Sequence, residues 1–374
     1  MKLTEARTLG LLVLSFIIVA GCKDKAEPHL GRCQQLRTEG KLTEALGACR
    51  GAASAAPDSE AAASLVAEIE QTLAQADEEA QKGFEQWEAP KPKRDQPSAR
   101  RRFEAACKTG SQLGCAGLGI SYLDGVDGTG MDYEKAFDRL QPACDAGIAR
   151  ACSALGQMYA EGHSVDEDLK TAAKLFRRAC DAGDARGCSR LGVYYQSGDG
   201  GLPKDPKQAL ALFLMGCEGG NALGCYGATY LYWKGIGTEQ SIEKTVEYAR
   251  KACDGDNADG CVRLSTAFSK GEGVAQDQGK AAELAKRACE LRSGQGCALL
   301  ASMTIAEKDT LDNRKAAAKD FQRSCELEFA AGCYGIATFT RQGWGVSRNA
   351  LIADGYLKKA CDLGDPTACK ELKR

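Results

Sequence analysis

Small and apolar residues recur along the chain at two spacings that answer each other. After Cys152 come Leu155, Gly156 and Tyr159; a polar, glycine-containing stretch follows, and then Ala172, Phe176 and Ala179 lead into Cys180. Leu155 and Tyr159 fall on one face of a helix, and Ala172, Phe176 and Ala179 form a matching stripe on a second, so the pattern predicts two helices and a turn. Gly156 leaves room for the second helix to approach closely. The arrangement returns as Leu118, Gly119 and Tyr122 with Ala136, Leu140 and Ala143, and as Leu191, Gly192 and Tyr195 with Ala209 and Phe213. It weakens at Leu264, Ser265 and Phe268. After Cys297 the loop glycines are missing and Glu307 to Asn313 stand in their place, so that turn is expected to be irregular.

Cysteines mark the period of this pattern. Pairs with seven residues between them occur at Cys107/Cys115, Cys144/Cys152, Cys180/Cys188, Cys217/Cys225, Cys253/Cys261, Cys289/Cys297, Cys325/Cys333 and Cys361/Cys369, each 36 or 37 residues after the last. A fixed period of that length is the mark of a solenoid, in which no unit buries its own apolar face and each stacks on its neighbours. The expected fold is all-α, an α/α superhelical repeat solenoid over 101–374.

The N-terminal part differs. Lys2 and Arg7 precede an apolar run from Leu9 to Ala20, too short to span a bilayer and shaped like an export signal over 1–21. It ends in Val19-Ala20-Gly21-Cys22, which resembles a bacterial lipobox with Cys22 as the lipidated first residue. Acyl chains there, at ~0.8 kcal/mol per buried methylene, would hold the protein to a membrane. Lys23 in place of Asp favours the outer membrane, so an exported envelope lipoprotein facing the periplasm or the outside is expected. Residues 22–57 predict a helical hairpin turning at Gly40, with tetratricopeptide-like spacings at Leu36, Ala45, Cys49, Ala52 and Pro57 and with Cys33 facing Cys49 as a bonded pair. A long helix is expected over 58–88, as a solvated spacer or a partner-binding coil. The stretch 89–100, with Pro90, Pro92 and Pro97 among Lys and Arg, predicts an exposed linker.

Composition narrows the chemistry. The net charge is −2 and both signs are interleaved, so the basic stripe that nucleic acid requires is absent and no nucleic-acid partner is expected. Nineteen regularly spaced cysteines with two histidines point to disulfides in an oxidising compartment. Zinc sites want closer spacings. Setting Cys22 aside leaves an even number.

Leu-Gly-x-x-Tyr, a loop such as Gly271-Glu272-Gly273-Val274, and Lys-Ala followed by Ala-Cys together resemble the Sel-one-like repeat, a relative of the tetratricopeptide repeat. With seven residues between the cysteines of every unit, the chain is similar to the Helicobacter cysteine-rich protein family over about three-quarters of its length. The resemblance implies a right-handed α/α superhelix with disulfide-linked units, exported and engaged in protein–protein interaction. Weak penicillin binding and β-lactamase activity are also attributed to that family. Two disulfide schemes suit antiparallel hairpins: bonds within each close pair, or bonds such as Cys115 to Cys144. The second strands Cys107 and Cys369 at the ends of the array; the first leaves no cysteine over. A loop this short contributes at most roughly 2–3 kcal/mol.

Candidate chemistry is sparse. Neither His29 nor His163 has a Ser/Asp constellation near it in sequence, and of the penicillin-recognition motifs only Lys108-Thr109-Gly110 is present, where a helix is expected to end. Asp254, Asp256, Asn257 and Asp259 look calcium-like, but EF-hand spacing fails after Asp256; Asp124, Asp127 and Asp132 are equally ambiguous. No catalytic residue, metal or cofactor is expected. The better prospect is a groove. In tetratricopeptide-like superhelices the first helix of each unit lines the concave wall, at positions that here include Arg190, Tyr226, Tyr230, Trp233, Lys234, Arg263 and Lys270. Aromatic and Arg side chains anchor interfaces, and Arg forks carboxylates, so an extended peptide with an acidic group or a free C-terminus would suit them. The plainer alternative is an ordinary helix surface with Tyr230 partly in the core.

Overall fold

The computed structural model describes residues 27–89, 95–125 and 130–372, and among these the only regular structure is helix. The export signal, Cys22, Lys23, residues 90–94 of the proline-rich stretch and Asp127 lie outside the described residues. The chain forms two compact units divided after Asp168. The first contains α1 (27–38), α2 (Leu42–Ala55), α3 (Glu60–Glu88), α4 (Gln96–Thr109), α5 (Gln112–Asp124), α6 (Tyr133–Asp145) and α7 (Ala149–Glu161). The second contains α8 (Leu169–Asp181), α9 (Ala185–Ser197), α10 (Pro206–Glu218), α11 (Ala222–Lys234), α12 (Ile242–Asp254), α13 (Ala258–Lys270), α14 (Gln278–Glu290), α15 (Gly294–Glu307), α16 (Leu311–Glu326), α17 (Ala330–Gln342), α18 (Ala350–Asp362) and α19 (Pro366–Glu371). By their register to the cysteines, odd-numbered helices from α5 onward are first helices and even-numbered ones second helices. No helix among the described residues is long and apolar enough to cross a membrane.

In the first unit α1 and α2 form the expected hairpin about Gly40, closed by Cys33–Cys49 and packed on Ile69 of α3. The rest corrects the expectation of a spacer and linker. Ser59 caps α3, and Phe84 and Trp87 at its C-terminal end turn inward onto Phe103 of α4, with ring centroids 4.7 and 6.0 Å apart. Phe103 in turn lies over two glycines, Gly83 of α3 and Gly117 of α5, both too close to it to carry a β-carbon. The end of α3 is therefore the first helix of a pair and α4 its second, so the stack begins before residue 101. The expected linker ends at Asp95, whose side chain caps α4 by accepting from Ser98 N. Pro97 falls in the first turn of that helix, where its missing N–H costs no hydrogen bond.

The second unit repeats the same contact. Phe213 of α10 sits between Gly192 of α9 and Gly227 of α11, where β-carbons would come within 2.9 and 2.5 Å of the ring. Phe103 and Phe213 each stand four residues before the first cysteine of a pair, and Gly117 and Gly227 two residues after the second.

Each of the eight close cysteine pairs is bonded within itself, at Cα–Cα distances of 4.3 to 4.7 Å. The bonds are Cys107–Cys115, Cys144–Cys152, Cys180–Cys188, Cys217–Cys225, Cys253–Cys261, Cys289–Cys297, Cys325–Cys333 and Cys361–Cys369. The scheme that joins Cys115 to Cys144, and by the same logic Cys188 to Cys217, is not adopted. Cys188 shows why. It lies buried in the first turn of α9, and the short turn after α8 holds its Cα 4.5 Å from that of Cys180, so Cys180 takes the bond and Cys217 turns to Cys225. A staple thus ties the second helix of one pair to the first helix of the next.

Within a pair, the loop glycines set the turn. Gly271 ends α13 at φ +73°, and Gly273, at φ +70°, meets Ile242 of α12 where a β-carbon would come within 2.7 Å. The turn after α15 lacks such glycines and is irregular, as expected. There the Asn313 side-chain amide donates to the carbonyls of Thr304 and Lys308, at 3.0 and 2.7 Å. In the second unit successive first helices touch, α9 to α11, α11 to α13, α13 to α15 and α15 to α17, whereas contact between successive second helices is slight or absent. The first helices therefore form one continuous face.

Candidate functional site

On that face α11 buries Cys225, Ala228 and Leu231 and leaves Tyr226, Tyr230, Trp233 and Lys234 partly or fully accessible. Trp233, in the last turn, is 36% exposed. Lys234 Nζ stands 3.9 Å from the centre of its ring and the Arg263 guanidinium 4.7 Å, while Tyr230 meets it edge-on at 6.4 Å. Two cations on one indole are a cation–π arrangement of about 0.5–2 kcal/mol each, according to how dry it is.

Arg263 owes its place to register. It lies two residues after Cys261, where Gly117, Gly227 and Gly335 stand in other pairs. The large side chain fits because the preceding second helix carries Ala249 where α10 carries Phe213. Arg263 Nη2 donates to Glu272 Oε2 at 2.8 Å, and Lys270 Nζ stands 3.7 Å from the same carboxylate. The Arg263 side chain is only 13% exposed, and its Nε is buried without a hydrogen-bond partner among the described residues.

The structure thus joins Tyr230, Trp233, Lys234, Arg263 and, through Glu272, Lys270. Tyr226 is half-buried against the Cys217–Cys225 staple; burial, then the charge of Asp259, raises its phenol pKa. Arg190 lies at the register of Arg263 on α9, two residues after Cys188, and is partly buried. Glu272 was not foreseen from the sequence. Its signal is an acid between two loop glycines, Gly271 and Gly273, close after a basic helix end.

The other motifs resolve into local structure. Lys108 pairs with Glu104 along α4, the Thr109 hydroxyl donates to Ala105 O, and Gly110 ends the helix at φ +101°. Arg287 reaches Asp256 at 3.2 Å and Asp254 at 3.8 Å across the calcium-like turn, and Asn257 caps α13. Asp132 caps α6 and pairs with Lys135, while Asp124 ends α5. His163 stacks on Tyr133 at 4.0 Å beside Glu161. No three His, Cys, Asp or Glu among the described residues converge as for a metal.

Stacked helix pairs with glycine-tight contacts define a tetratricopeptide-like repeat protein. The Sel1 repeat model matches 112–148, 149–184, 185–221, 222–257, 258–293 and 330–365, more than half of the chain, which belongs to the Sel1 repeat family. The unmatched stretch between the last two holds α15, α16 and their glycine-free turn. Such repeats are typical of protein–protein interaction scaffolds. In fold the chain is similar to a protective antigen of uropathogenic Escherichia coli with an SLR fold, at 23% identity and a TM-score of 0.59, covering 95% of this chain and 81% of that one. It is also similar to a Sel1 repeat protein from Oxalobacter formigenes, at 22% identity and a TM-score of 0.54, covering 82% and 89%. No curated protein matches the chain.

Proposed function

We propose that the protein is a membrane-anchored envelope adaptor that holds another protein or peptide on the face formed by its first helices. The observation that carries this is Trp233, exposed on that face and flanked by Lys234 and Arg263. An indole with two cations against its ring is a preformed anchor for an acidic or C-terminal peptide segment. Replacing Trp233 and Arg263 together by Ala weakens partner capture by roughly thirtyfold, the effect of losing an anchor of about 2 kcal/mol. Trp233 is partly exposed, so its own removal leaves the melting temperature nearly unchanged. Quantitative pull-down from cross-linked envelopes, variant against unaltered chain, makes the comparison, and equal capture moves the binding site elsewhere.

The anchoring half of the proposal rests on Val19-Ala20-Gly21-Cys22 and on the disulfides, which belong to an oxidising compartment. Metabolic labelling with a clickable palmitate is expected to mark the chain, and Cys22→Ala to abolish the label. A label that survives Cys22→Ala removes Cys22 from this role.

A further inference from the structure

The last complete first helix, α17, bears Tyr334 and Arg341 one and eight residues after Cys333, the registers of Tyr226 and Trp233 on α11. Both touch a carboxylate of the chain itself. Tyr334 Oη donates to Glu371 Oε1 at 2.8 Å and Arg341 Nη1 to Glu371 Oε2 at 3.1 Å, while Arg341 Nη2 is oriented by Asp354 at 2.7 Å. Glu371 lies on α19 two residues after Cys369, the register from which Arg263 reaches Trp233. One location between successive first helices is thus used twice: by a cation on an indole at α11 and α13, and by an anion in a phenol–guanidinium clamp at α17 and α19.

The clamp is not needed to hold α19. That six-residue helix is already fastened by the Cys361–Cys369 disulfide, by Asp365 capping Thr367 N and Ala368 N, and by buried Ala368. The clamp is also open to solvent, with Arg341 39% and Glu371 32% exposed. The hydrogen bond to Glu371, followed by burial, raises the Tyr334 phenol pKa, so the hydroxyl remains a donor at neutral pH.

We propose that Tyr334 and Arg341 are a carboxylate-binding subsite of the groove for an acidic side chain of a bound peptide, and that Glu371 is its resident occupant, displaced when the partner binds. The proposal rests on the groove reading above but uses different residues. A side chain is the fitting ligand because the group already seated there is one. The disulfide confines Glu371 to the site at a high effective concentration, so a free carboxylate competes poorly until Glu371 is removed.

The test is fluorescence polarisation at low salt with a labelled hexaglutamate peptide amidated at its C-terminus. Glu371→Ala is expected to bind it roughly tenfold tighter than the unaltered chain, because the tethered competitor is gone. The gain disappears on adding Arg341→Ala and survives adding Trp233→Ala, which separates this subsite from the anchor on α11. Equal binding by Glu371→Ala and the unaltered chain overturns the proposal, as does a gain that persists without Arg341. A labelled hexaglutamine peptide with a free C-terminus that gains as much overturns the choice of a side-chain carboxylate. Should Glu371→Ala loosen α19, Glu371→Gln keeps the size, removes the charge and gives the same comparison.

Discussion

Reducing the disulfides lowers the thermal midpoint of the repeats by more than about 20 °C. A single staple closing a loop this short contributes at most roughly 2–3 kcal/mol, and a kcal/mol is worth roughly 2–4 °C in a unit of this size. Several staples together reach the whole stability of an ordinary domain, about 5–15 kcal/mol. The array depends on them because parts of its core are thin. α14 buries only Ala281, Ala285, Ala288 and Cys289, and alanines bring little apolar area. Removing Cys253 and Cys261 by Ala interrupts the stack within the second unit and uncouples helices on both sides, whereas removing Cys361 and Cys369 loosens only α19 and its neighbours. Far-ultraviolet circular dichroism melts with and without a phosphine reductant read both effects. A reduced chain that melts within a few degrees of the oxidised one would mean that helix packing alone sustains the fold.

The cysteines also explain what the sequence made legible. Cysteines recurring at one spacing made the period and the helix pairs from α5 onward directly legible, the choice between the two bonding schemes turned on the cysteines that one of them strands at the ends of the array, and the missing loop glycines marked the odd turn after α15. The pair made by α3 and α4 could not be read in this way. α3 carries no cysteine, its packing glycine Gly83 lies within a run of Glu, Gln and Lys, and Pro97 reads as a linker residue until Asp95 is seen to cap the helix. At the candidate site Trp233, Lys234 and Arg263 followed from helical register, which fixes the direction of a side chain. Glu272 sits in a loop whose course depends on two left-handed glycines, and Glu371 on a helix too short to show a period, so neither partner was visible.

The packing of Phe213 between two glycines predicts a coupled pair. Phe213→Ala costs about 3–5 kcal/mol, because the ring fills the space between two helices and the surrounding glycines cannot collapse onto the void. Gly227→Ala costs roughly 1–3 kcal/mol by overpacking, although alanine is the better helix former by about 1 kcal/mol, since the new methyl meets the Phe213 ring at 2.5 Å. Combining it with Phe213→Leu recovers more than about 1 kcal/mol of the sum, as expected for residues in direct contact. The chain already uses that combination, with Leu140 and Ala154 at the same registers of α6 and α7. Gly192→Ala responds differently. Its β-carbon meets the ring at 2.9 Å but also the backbone carbonyl of Ala209 at 3.3 Å, which a smaller side chain at 213 does not move, so Phe213→Leu rescues it only in part. Urea-unfolding midpoints of the oxidised single and double variants give the two coupling energies. Equal rescue at both glycines would show that α9 and α10 shift apart freely and that the ring alone sets their distance.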